Sequence, residues 1–169
     1  MSNPNPEHLL DEAVRLASPI SSGAARQVDI RRAISTAYYA VFHMILTAAA
    51  DLVIGRTRRG TPAYGLAYRS IDHKWLHAVC EAAKRTSPPP RFRPYVPEAG
   101  FGPDIRDFAN RAIVLQEQRH TADYDPVPQF NIARALHAID HARIALRHWA
   151  AAPEDKRRSF LTLLLFQPR

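Results

Sequence analysis

The residues best suited to chemistry fall in two short blocks. RHTADYDP, residues 119–126, holds Arg119, His120, Asp123 and Tyr124 together. An imidazole can move a proton near neutral pH, a guanidinium can hold phosphate oxygens, and a carboxylate or phenol can orient either. In a catalytic arrangement His120 is the acid/base, Arg119 the phosphate ligand, and Asp123 or Tyr124 the orienting group. In a structural one the aspartates cap the next helix and Tyr124 packs on a neighbour. The other block, RRAISTAYYAVFH at residues 31–43, sets Arg32, Thr36, Tyr39 and His43 in one polar row at helical spacing. That row either supports the first cluster across a helix interface or forms buried hydrogen-bonded pairs that fix packing.

Further groups suit contact with a polyanion. Arg56, Arg58 and Arg59 lie in GRTRRGTPAYG, residues 55–65, which has no apolar period and reads as an exposed basic loop. Arg91, Phe92, Arg93 and Tyr95 alternate base with aromatic, as a single-strand binder would. They lie in a stretch, residues 86–103, with six prolines in eighteen positions, where neither helix nor central strand persists. The alternative is a loop pinned to the protein by its aromatics. The pairs His73/His77 and His137/His141 have the i, i+4 spacing of a metal clamp but no third ligand at a recognised spacing. With no P-loop, dinucleotide fingerprint or Ser/Cys nucleophile motif, neither metal nor cofactor is expected.

The elements that must position these groups read as helices throughout. Asn5 and Pro6 are an N-cap and first residue for a helix carrying Leu9, Leu10, Ala13, Val14 and Ala17, closed by Pro19. After a turn at residues 21–23, with Ser22 as a candidate cap, the second helix spans about residues 24–53. Its apolar stripe is Ile30, Ala33, Ile34, Ala37, Tyr38, Val41, Ile45 and Ala49, and Gly55 closes it. A third helix covers about 68–85 and a fourth about 104–120, with Asp104 as a cap that the preceding Pro103 displaces. A fifth covers about 129–151, with Ile132, Leu136, Ile139, Ala142, Leu146 and Trp149 inward. A short terminal helix starting near Pro153 carries FLTLLLF, residues 160–166, too apolar to stay exposed. No stretch alternates with period two. The expected fold is all-α, an up-and-down bundle of four principal helices with short additional helices at the termini, in one domain spanning residues 1–169.

Composition narrows the setting. The chain has 169 residues and a net charge of +7. The charge is uneven: residues 31–95 carry eleven bases against three acids, whereas 96–130 carry three against six. Such clustering fits an RNA or DNA partner, or equally a set of solvated arginine-rich faces. The single cysteine, Cys80, excludes an internal disulfide and sits among apolar neighbours, as a buried thiol in the cytoplasm would. The N-terminus has no signal-peptide pattern, and no membrane role is expected.

ISTAYYAVFH followed later by RHTADYDP resembles the HEPN superfamily, in the branch of small prokaryotic proteins with an AYYA-FH helix and a later ADYDP. The resemblance covers about residues 8–150. It implies a helical bundle that dimerises, with roles from metal-independent endoribonuclease, often a toxin paired with a nucleotidyltransferase antitoxin, to silent binding of nucleic acid or nucleotide. In catalytic members an Arg precedes a His by four to six residues near the start of the last long helix, and these groups meet across the dimer. Here Arg119 and His120 are adjacent. The expected function is therefore an RNA-acting homodimer, with a non-catalytic module for nucleic acid, nucleotide or protein as the alternative.

Overall fold

The computed structural model describes residues 3–18 and 25–168. Among them the chain is all-α, with seven α-helices and no strand: α1 Pro6–Ala17, α2 Gln27–Val53, α3 Pro62–Tyr68, α4 His73–Ala83, α5 Gly102–Tyr124, α6 Ile132–Ala151 and α7 Glu154–Leu165. Two single 3-10 turns, Arg56–Arg58 and Arg93–Tyr95, punctuate the loops.

Local sequence sets most of the boundaries. The Asn5 side chain accepts from Glu7 N with Pro6 in the first turn of α1, and Thr61, Asp72 and Asn131 cap α3, α4 and α6 in the same manner. Gly55, at φ 97°, follows the last turn of α2 in the left-handed conformation that L residues rarely adopt.

α2 is the axis of the molecule. It packs against α1, α3, α5, α6 and α7, and α5 packs in turn on α4 and α6. Tyr38, Ala37, Val41, Ile45 and Ala49 are fully buried on it, as the stripe requires. By length and composition α2 would pass for a membrane span, yet 67% of its most apolar window is buried inside the protein, which makes it a core helix. The core runs through every helix except α3 as one cluster. Phe108, Trp149, Phe101 and Phe160 form its aromatic centre, with Phe160 edge-on to Phe108 at 5.8 Å. The terminal apolar run thus covers the bundle through Phe160, Leu161, Leu163 and Leu164, while Phe166 stays exposed.

Several expectations need correction. α2 begins at Gln27 with Arg26 at the N-cap position; Pro19, the candidate cap Ser22 and the turn at 21–23 lie outside the described residues. The expected third helix, about 68–85, starts late, as α4 at His73. Asp72 restarts the chain after Arg69 and Ser70, and the preceding residues form the separate α3, so the segment 55–65 is only partly loop. α5 runs through Thr121–Tyr124 instead of stopping near residue 120, because Pro126, not the polar composition, ends it. Pro103 lies in the first turn of α5, and Asp104 turns to His148 on α6 instead of capping. On α6 the buried row is Ala135, Ala138, Ile139, Ala142, Ala145 and Trp149, whereas Leu136 is 43% exposed. α6 packs on α1, α2 and α5, and the residues it buries are mostly alanines, with Leu136 off that row. Neither Asp123 nor Asp125 caps α6; Asp125 Oδ1 instead accepts from Val127 N in a local turn.

Candidate functional site

Because α5 continues through residue 124, Arg119 and Asp123 are one turn apart on the same helical face. That face meets α2. Arg119 Nη2 donates to the Tyr39 hydroxyl at 2.8 Å, and the Ser35 hydroxyl donates to Asp123 Oδ1. The two sequence blocks are therefore joined at the α2–α5 interface, Tyr39 and Ser35 from the first, Arg119 and Asp123 from the second. Arg119 Nε lies 2.7 Å from Asp123 Oδ2, yet its N–H is not aimed at that oxygen and has no hydrogen-bond acceptor. Charge, not hydrogen-bond geometry, holds this contact. The guanidinium also lies 5.5 Å from the ring centres of both Tyr39 and Tyr124. Burial works against the Arg119 cation, but the Tyr39 hydrogen bond and the charges around it outweigh that cost and hold its pKa above the usual value.

Two imidazoles extend the cluster along α2. The His43 ring stacks on Tyr68 from α3, and its Nδ1 shares a 2.6 Å hydrogen bond with the Tyr68 hydroxyl. His73, the first residue of α4, shares a 2.7 Å hydrogen bond from Nδ1 with the buried Tyr38 hydroxyl and packs 4.1 Å from the Phe42 ring. Gln116 of α5 donates to the His73 carbonyl at 3.0 Å. Burial lowers the pKa of both rings, and the positive charge of Arg119 adds to the effect on His73. Both imidazoles are therefore neutral at pH 7, able to accept or relay a proton but not to serve as cations. The same burial raises the Tyr68 phenol to about 12 and keeps it protonated.

The remaining predicted residues fall elsewhere. His120 is exposed and its ring lies 5.1 Å from that of Tyr124, itself 65% exposed, so this pair stands at the solvent edge of the cluster. Arg32 is exposed in a cleft against α1, with Glu12, Arg15, Arg26 and Asp29, and does not join Tyr39 and His43. Arg59 is engaged with Asp51 through Nε at 2.9 Å and through Nη2, and Arg56 approaches the same carboxylate at 3.4 Å; Arg58 is exposed. Arg91 lies over the Phe92 ring at 4.7 Å, and Arg93 Nε donates to the Pro88 carbonyl at 3.1 Å. Phe92 is buried against Trp75, so the proline-rich loop is pinned by its aromatic. His77 takes no part in the His73 contacts. The His137 and His141 rings lie 4.3 Å apart on α6, and no group of three potential metal ligands occurs among the described residues.

Sequence reasoning missed Ser35, His73 as a member of the cluster, and Arg31. Ser35 lies inside ISTAYYA, one turn before Tyr39, and that spacing was the available signal. Arg31 donates to the carbonyls of Ala122, Asp125 and Pro128 at 2.7–2.9 Å and lies 4.7 Å over Phe130, fixing the turn that follows the cluster. No local pattern marks His73, whose partners are 31 or more residues away.

Comparison with protein-family models, with curated proteins and with solved structures finds no match to this chain.

Proposed function

We propose that this chain is a HEPN-like RNA-binding protein, built as an up-and-down bundle of four principal helices and working as a homodimer. The observation that carries the reading is the joining of its two characteristic blocks through Tyr39–Arg119 and Ser35–Asp123. The basic excess of residues 31–95 and the arginines exposed on several loops supply the attraction a polyanion needs. Within one subunit Arg119 already has its partners, which favours a positioning role and leaves recognition to exposed groups.

A second reading, metal-independent RNA cleavage by one half of a toxin–antitoxin or defence module with a nucleotidyltransferase-type antitoxin, draws on one feature. His120 and Tyr124 stand exposed beside the Arg119 cation, an acid/base next to a charge that could stabilise a phosphorane-like transition state. Incubation of the purified protein with total RNA, with and without EDTA, separates the two. Salt-sensitive binding without new RNA ends supports the binding protein. Cleavage that survives EDTA and vanishes in His120→Ala supports the nuclease, and absence of both binding and cleavage overturns the RNA reading.

A further inference from the structure

A cleft of about 620 Å³ opens between the end of α4, the proline-rich loop and the first turns of α5, remote in sequence from both characteristic blocks. Its size is that of ligand sites. Arg85, Arg93 and Arg106 line it from three different elements, against one acid, Glu98. Arg85 carries one long ion pair, 3.7 Å to Glu81, a carboxylate that Lys84 holds more closely at 2.7 Å. Arg93 uses Nε on the Pro88 carbonyl, which leaves its two Nη groups for a ligand. Arg106 is exposed, and its acidic neighbours Asp104 and Asp107 lie 3.0 and 3.9 Å from His148 on α6. Gly100 and Gly102 on its lining hold φ of 70° and 82°, and a Cβ on either would meet nothing within 4 Å.

We propose that this cleft anchors successive phosphates of single-stranded RNA. The proposal rests on the RNA reading above and assigns where the chain is held. Guanidinium forks suit phosphate oxygens, and three of them on separate elements suit a run of phosphates better than one isolated anion. The buried Phe92 and the six prolines hold the loop in shape before any ligand arrives, so little ordering cost is left for binding. This gives the long loop a use that its pinned aromatic does not.

The test is fluorescence anisotropy of a labelled single-stranded oligouridylate against the full chain over a salt series. Arg85→Gln with Arg106→Gln should weaken binding at least about tenfold and reduce the log–log salt slope by about 1.4. Arg143→Gln with Arg147→Gln, the same charge change on α6 away from the cleft, should leave affinity within about twofold. Unchanged affinity in the cleft variant, or equal loss in both, overturns the cleft assignment while the RNA reading stands. Absence of wild-type binding overturns both. Should the cleft variant fail to fold, the Arg85→Lys, Arg106→Lys pair carries the test. It keeps the charge but loses the fork, so a loss of affinity with the salt slope retained is expected, and no loss overturns the assignment.

Discussion

Arg119 shows how one side chain can join two distant stretches of sequence. Its side chain is 13% exposed, and it serves Tyr39 on one helix and Asp123 on its own. Arg119→Ala should destabilise the protein by about 1–2 kcal/mol, since the half-buried Tyr39 phenol and the more exposed Asp123 carboxylate lose a charged partner. Tyr39→Phe should cost about 1 kcal/mol. In urea denaturation the double variant should fall short of the sum of the two, and strict additivity would mean that the contact contributes nothing. His120→Ala should leave stability within about 0.5 kcal/mol because the residue is exposed. The neutral histidines make a pH prediction. Burial lowers the folded-state pKa of His43 and His73 below 6.5, so as pH falls beneath that value the unfolded chain takes up protons first. Their contribution is complete above about pH 6.5 and is lost as pH falls through the lowered folded-state pKa, at up to about 1.4 kcal/mol per pH unit for each ring. Thermal melts should show Tm falling on acidification below about pH 6.5, with a shallower fall in His43→Gln. A Tm that rises with acid would contradict the burial of these rings.

At the scale of elements, the loops are held by single buried anchors. Phe92, 2% exposed, ties the proline-rich loop to Trp75. Phe92→Ala should cost about 3–5 kcal/mol and open residues 86–100 to protease before the rest of the chain unfolds. Arg31 plays the corresponding part for the turn after α5 through three carbonyls. The helices themselves were largely legible in sequence: Asn5 with Pro6, the α2 stripe and Gly55 each act through local geometry. Polar RHTADY looks like a helix end, yet α5 continues through it, and its Arg119 and Asp123 meet Tyr39 and Ser35 of α2. Leu136 looks like core, yet it is 43% exposed and alanines take most of the buried row.

At the scale of the whole molecule, α7 completes the core. Phe160 contacts Phe101, Phe108 and Trp149, three residues from three segments. Deletion of residues 154–169 should abolish cooperative unfolding as followed by near-ultraviolet circular dichroism, and a sharp retained transition would show that the rest of the core is self-sufficient. Charge reads differently at this scale as well. Residues 96–130 are acidic in sum, yet Arg106 from that segment faces a basic cleft while its neighbouring acids turn to His148. The sequence by itself determined the all-α class, the central helix and its buried stripe, the buried thiol and the two polar blocks, since these follow from spacing, capping and hydropathy along a few turns. Only the tertiary structure decided that Tyr39 and Ser35 meet Arg119 and Asp123, that Arg32 does not, and that Arg85, Arg93 and Arg106 share one cleft. Those pairings join residues that are distant in the chain, and they depend on how helices cross, which no local periodicity encodes.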